Sequence, residues 1–218
     1  MPPPIKTIRL PLPFHLGSVN CYLLEGSDGC MLIDTACGNS RDELERELGE
    51  CAGRLRLVVL THGDFDHSGN AAALRRRFGA KIAMHRGDAG IVERGDIFAG
   101  RRKGNFFFRR LAPALFGFGR AERFSPDFYF EDGDDLGQYG FAAKVIHMPG
   151  HSSGSIGILT AGGELFGGDL LLKKKRPEPN RIIDDPAAAQ ASVKKLKGLK
   201  IKTVYPGHGR PFTLKEMG

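Results

Sequence analysis

Between Thr61 and His67 the sequence runs Thr-His-Gly-Asp-Phe-Asp-His, which packs the metal-ligand types His62, Asp64, Asp66 and His67 into six residues. Partners of the same chemistry follow at His151, Asp169 and His208. Imidazole nitrogens and carboxylate oxygens both bind divalent first-row ions, and two such ions side by side can clamp a water and lower its pKa toward ~7. The chemistry that this set suggests is attack by hydroxide at neutral pH.

Spacing argues the same way. The run from Leu55 to Leu60 reads as a buried strand, and Thr61 and Gly63 follow it as turn-compatible residues. Side chains alternate along extended backbone, so His62 and Asp64 are expected to face one side and share one ion. Asp66 and His67 stand where the chain turns into the helical run from Asn70 to Phe78, facing a second position beside the first. A plainer reading makes Asp66 or Ser68 a helix N-cap and the histidines polar loop residues. Capping alone has no use for so many ligand-type side chains.

The set His62-x-Asp64-x-Asp66-His67, with His151 in Pro-Gly-His-Ser, Asp169 in Gly-Gly-Asp and His208 in Pro-Gly-His-Gly, resembles the metallo-β-lactamase-fold hydrolases over nearly the whole chain. The resemblance implies an α+β protein of four layers, an αββα sandwich. It implies that His62, Asp64 and His151 hold a first metal ion, that Asp66, His67 and His208 hold a second, and that Asp169 bridges them. Asp66 and Asp169 are then also the catalytic carboxylates. Most members carry histidine where Asp64 stands, whereas flavodiiron relatives carry a carboxylate there. A harder oxygen ligand and an added negative charge favour Fe or Mn, with Zn still open. The expected activity is a metal-dependent hydrolase in which a hydroxide bridging two divalent ions attacks an ester, thioester or lactone carbonyl.

Other chemistries compete for the same residues. An iron-containing redox enzyme would use the same cage. The segment Gly150-His151-Ser152-Ser153-Gly154 fits the G-x-S-x-G nucleophile elbow of serine hydrolases, with Ser152 as nucleophile. That elbow must lie between a strand and a helix, and the residues from Ser155 to Thr160 read instead as another strand. His15, His85 and His147 are read as loop or structural histidines, and Asp132-Gly133-Asp134-Asp135 as a turn that lacks the closing glutamate of a calcium loop.

The elements that must position the cage are legible as short strands near 5–10, 19–25, 30–35, 55–60, 81–84, 128–130, 141–147, 155–160, 163–167 and 202–205. Helices are expected from an N-cap at Ser40 through Cys51, and from Asp185-Pro186 through Lys197. Strands interspersed with helices and no internal repeat point to layered sheets within one domain spanning 1–218. A length of 218 residues with 41% hydrophobic content suits one core.

From about 95 to 120, phenylalanines alternate with arginines between glycines, which reads as a basic aromatic insertion: a substrate lid, a contact with a second copy in a homodimer, or a membrane-surface helix. Net charge is +7 and favours anionic small-molecule partners. Lys173, Lys174, Arg101 and Arg109 are the candidate substrate contacts. A nucleic-acid partner, as in a nuclease-like protein, is the weaker reading, since basic runs alone do not specify one. No run is long enough for a transmembrane segment. Cys21, Cys30, Cys37 and Cys51 form no Cys-x-x-Cys pair and no secretory leader precedes them, which predicts reduced thiols and a cytoplasmic location.

Overall fold

A computed structural model describes residues 4–96, 122–173, 176–180 and 182–217. The expected insertion at about 95–120 lies almost wholly outside the described residues, and Arg101, Arg109 and Lys174 fall outside them too.

Strand alternation explains the layering. The strands β2 (Ser18–Glu25), β3 (Cys30–Ile33) and β4 (Leu55–Val59) are buried along most of their length, so each has two apolar faces to cover. Cys21, Leu23, Cys30, Leu32 and Val58 enter one core, while Tyr22, Leu24, Met31, Ile33, Leu57 and Val59 enter another. These strands form the middle of a six-stranded sheet, flanked by β1 (Ile5–Pro11) on one side and by β5 (Lys81–Met84) and β6 (Phe128–Tyr129) on the other. From β3 onward the pairing is parallel, which requires crossovers. The helices α1 (Arg41–Leu48), α2 (Phe65–Ser68) and α3 (Ala71–Phe78) lie in those crossovers, and α4 (Ala89–Arg94) follows β5. Leu44, Leu48, Leu74 and Val92 from α1, α3 and α4 close the outer core. Truncating one such leucine to alanine would cost about 3 kcal/mol.

The second sheet contains β7 (Ala143–His147), β8 (Ile156–Thr160), β9 (Glu164–Phe166) and β12 (Thr203–Tyr205), in the order β12-β9-β8-β7. Val145, Ile156, Ile158 and Phe166 face the first sheet in the shared core. Their neighbours Ile146, Leu165 and Val204 face outward, against Ala189 and Leu196 of α5 (Pro186–Lys197). Helix, sheet, sheet, helix is therefore the order of layers, the αββα arrangement of the α+β class expected from the sequence.

Details differ from the sequence reading. Helix α1 begins at Arg41 with no side-chain cap from Ser40, and it stops at Leu48 because Gly49 turns the backbone to φ +55°. Asp185 does cap α5, accepting from the N–H groups of Ala187 and Ala188 at 3.0 Å each. Two strands were not expected: β10 (Leu171–Lys173) and β11 (Pro177–Pro179) form a separate antiparallel pair. Lysines and prolines hide it in sequence, and a two-stranded edge is where proline is tolerated. Cys30 and Cys51 are joined in a disulfide, which corrects the expectation of four reduced thiols; Cys21 and Cys37 are buried free thiols. The partners are 21 residues apart and meet only because the turn after α1 returns to β3. Among the described residues no helix is long and apolar enough to cross a membrane.

Candidate metal centre

The ligand-type residues all follow strands. His62 to His67 follow β4, His151 follows β7, Asp169 follows β9 and His208 follows β12. The two sheets touch at this edge, where the Ile156 N–H at the start of β8 donates to the Thr61 carbonyl just beyond β4 at 2.8 Å. Loops from both sheets thereby open onto one place. Asp64, in extended backbone, occupies the N-cap position of α2, yet its side chain makes no capping bond. Asp66 and Ser68, the cap candidates of the plainer reading, lie inside α2 and cap nothing at its start.

Three groups of potential ligand atoms each lie within 4.8 Å of one another: His62, Asp64 and His151; Asp66, His67 and His208; and His62, His67 and Asp169. His151 Nε2 is 3.1 Å from Asp64 Oδ2, and His62 Nε2 is 3.6 Å from the same oxygen. His208 Nε2 stands 3.3 Å from both Asp66 Oδ2 and Asp169 Oδ2, while His67 Nε2 is 3.5 Å from Asp169 Oδ1. All seven residues that the sequence singled out are brought together.

What points the imidazoles inward is the set of partners behind them. His67 Nδ1 bonds Asp34 Oδ2 at 2.8 Å, His151 Nδ1 bonds the Ile182 carbonyl at 2.7 Å, and His208 Nδ1 bonds the Ser18 carbonyl at 2.8 Å. The Thr61 hydroxyl donates to Asp34, so His62 Nδ1, 3.0 Å from Thr61 Oγ1, is the donor in that pair. Each Nδ1 is bonded outward, which turns each Nε2 toward the cage, where it can ligate an ion once its proton is displaced. Among the described residues, buried His62 Nε2, His67 Nε2 and Asp169 Oδ1 have no hydrogen-bond partner, a costly arrangement unless a cation satisfies them. A Cβ on Gly207 would collide with Asp169 Oδ1, so the close approach of this loop requires glycine. The donor set and its orientation fit two divalent ions.

The local field is strongly negative. Burial opposes charge on His67, but Asp34, Asp169 and Asp66 outweigh it and hold that imidazole up at about 9. Burial likewise works against His208, and Asp169 with Asp66 still carries it to about 12. His62 moves the other way, because burial and the charges of His67 and His151 hold it well below 6.5. Asp169 is kept well below the ordinary carboxylate value by His208 and His67 despite its burial. A site that draws protons onto imidazole this way also draws cations.

Sequence reasoning missed the supporting shell. Asp34 accepts from Thr61 N–H and Thr61 Oγ1 at 2.8 Å as well as bonding His67. On β2, Asn20 Nδ2 and Tyr22 Oη donate to the Pro206 carbonyl at 2.9 and 2.6 Å, fixing the loop of His208. Asn180 Nδ2 donates to Asp169 Oδ2 at 3.3 Å. The one available signal was polar residues inside otherwise apolar strands, at Asn20 and at Asp34 just past β3.

Other expectations sort cleanly. Ser152 is buried on a strand-to-strand connection between β7 and β8, and its hydroxyl bonds go to Asp88 at 2.6 Å and Ser155 at 2.7 Å, which is not an elbow geometry. His85 and His147 stack on each other with centroids 4.1 Å apart and belong to none of the three ligand groups, and His15 sits in an exposed turn. Lys173 lies on β10 with its ammonium against Glu216 rather than aimed at the cage.

A family model described as the Metallo-beta-lactamase superfamily matches residues 16–208. The chain is 32% identical to the probable metallo-hydrolase YqjP of Bacillus subtilis, over 96% of this chain and 72% of that protein. It is 29% identical to the human acyl-coenzyme A thioesterase MBLAC2, over 88% of this chain and 74% of the relative. Among solved structures, TTHA1623 in a di-iron-bound form superposes with a TM-score of 0.70 at 29% identity, covering 94% of this chain and 95% of that one.

Proposed function

The chain belongs to the metallo-beta-lactamase superfamily, and from that premise we propose that it is a metal-dependent hydrolase acting on an ester, thioester or lactone of a small anionic molecule. The observation that carries the reading is the orientation of four imidazoles, each with Nδ1 bonded outward and Nε2 turned toward three carboxylates. His62, Asp64 and His151 form one position, Asp66, His67 and His208 the other, and Asp169 reaches between them. Two divalent ions bound there would supply an activated water at neutral pH and polarise the substrate carbonyl.

The chain's own groups set the rest. Asp66 and Asp169 keep carboxylate oxygens in the cage that accept hydrogen bonds from a water and orient it toward the carbonyl. The two cations would stand beside the substrate carbonyl, where they offset the charge of its developing oxyanion. Overall net charge of +7 acts in the same direction at longer range. Arg101, Arg109 and Lys174 are the residues we assign to substrate capture; Lys173, held by Glu216, is not among them. The acyl-coenzyme A thioesterase relative supports the thioester branch, and the carboxylate at Asp64 together with the di-iron-bound relative supports iron or manganese ahead of zinc.

The test is elemental analysis of protein purified without added metal, with turnover measured on acyl thioesters, esters, lactones and a phosphodiester. Two metal equivalents per chain and thioester turnover lost on chelation are expected. Metal-free protein that keeps full turnover would overturn the reading. Turnover of the phosphodiester alone would move the chain to the nuclease class.

A further inference from the structure

Another buried carboxylate stands directly behind the cage. Asp88, at the end of the turn Arg86–Asp88 before α4, is 1% exposed. Its Oδ2 accepts from the Gly63 N–H at 2.9 Å and from the Ser152 hydroxyl at 2.6 Å, and its Oδ1 accepts from the Gly154 N–H at 2.7 Å. These three donors belong to two loops. Gly63 lies between His62 and Asp64, while Ser152 and Gly154 follow His151. One carboxylate therefore joins the loop leaving β4 in the first sheet to the loop between β7 and β8 in the second. Both loops press closely on the segment that carries it: a Cβ on Gly154 would meet the Asp88 nitrogen at 2.5 Å, and one on Gly63 would meet Ile91 Cβ at 2.9 Å.

The other half of the cage is held from elsewhere, His67 by Asp34 and His208 by the Ser18 carbonyl. Resting on the reading of the cage as a metal site, we infer that Asp88 is a positioning residue that fixes the His62, Asp64 and His151 cluster and sets its ion affinity independently of the Asp66, His67 and His208 cluster. The 3.1 Å approach of His151 Nε2 to Asp64 Oδ2 spans the two loops that Asp88 ties. Hydrogen bonds to an ionised acceptor are about twice as strong as neutral ones, and three converge here with no water access. Removing a direct hydrogen-bond partner of a metal ligand typically weakens metal binding by about 10- to 100-fold, and Asp88 acts one step further back, on the backbone that carries the ligands.

Zinc titrations of the full chain under chelator competition, with wild type, Asp88→Asn and Ser152→Ala, decide the matter. Asparagine has one accepting oxygen, so its amide N–H2 is turned against either the Gly154 N–H or the Gly63 N–H and the tie between the loops is weakened. For Asp88→Asn the expected result is a loss of up to about 10-fold in affinity for one of the two zinc equivalents, larger than that of Ser152→Ala, with the other unchanged. Ser152→Ala, which removes one of three donors, should weaken the same equivalent by a few fold. Melting temperatures in excess chelator separate positioning from general destabilisation. Equal weakening of both equivalents, or a lower melting temperature with both affinities intact, overturns the inference. If Asp88→Asn does not fold, Ser152→Ala decides alone, and unchanged affinity at both positions overturns it. Wild type that takes up no zinc, iron or manganese would instead bring down the metal reading itself.

Discussion

Asp34 and His67 are 33 residues apart and meet at 2.8 Å, carboxylate Oδ2 to imidazole Nδ1, with both side chains buried. Asp34 reaches this place by leaving β3 in a left-handed conformation, φ +61°, uncommon outside glycine and tolerated by aspartate. Asp34→Ala would leave the Thr61 N–H, the Thr61 hydroxyl and the His67 Nδ1–H without their acceptor. Breaking such a buried set should cost about 3 kcal/mol in urea unfolding and weaken metal uptake at the His67 cluster. A loss below about 1 kcal/mol would show that these bonds contribute little net stability.

Asp169 stands between the two halves of the cage, near His67 through one oxygen and His208 through the other. Asp169→Ala should lower metal content at both positions and reduce turnover by about 100-fold or more. Ser152→Ala should stay within about 10-fold of wild type, since its hydroxyl serves Asp88 rather than the substrate. The reverse ranking would restore the serine as nucleophile.

Asp64→His replaces a hard anionic ligand by a softer neutral one, and zinc content should rise relative to iron and manganese. Elemental analysis of wild type and variant grown in the same medium measures it. Identical ratios would show that selectivity is set elsewhere.

Burial, and then the charge of stacked His147, hold the His85 imidazole below its ordinary 6.5, against the pull of Glu131 and Asp88. The fold thus prefers His85 neutral, whereas the unfolded chain protonates it near 6.5. Its contribution is complete above about pH 6.5 and is lost as pH falls through the depressed folded value. Melting temperatures from about pH 8 to pH 5 should drop less for His85→Gln than for wild type. Parallel curves would remove His85 from the acid response.

The ligands were readable because chemistry concentrated them: no packing rule calls for His62, Asp64, Asp66 and His67 within one short loop. Strands such as β4 and β5 were readable from apolar runs, and the ten expected strands all occur within a few residues of their places. What stayed hidden is long-range. Asn20, Tyr22, Asp34, Asp88 and Asn180 act on backbone groups or side chains that only tertiary structure brings near, and a lone polar residue in a strand does not announce its partner. The pairing of Cys30 with Cys51 was hidden for the same reason, and β10 and β11 because lysine and proline mask strand character.

The cage draws His62, Asp64, Asp66 and His67 from the sheet built first along the chain, and His151, Asp169 and His208 from the sheet built last. Neither half carries a complete set. Ion occupancy and the docking of the sheets are therefore thermodynamically linked, since an ion held across the seam binds the docked form and not the parted one. At a free ion concentration 100 times the dissociation constant, one such ion would add about 2.7 kcal/mol against separation of the halves. Chelation would then act as a mechanical change as well as a chemical one, with amide exchange rising first in the strands that flank the shared core.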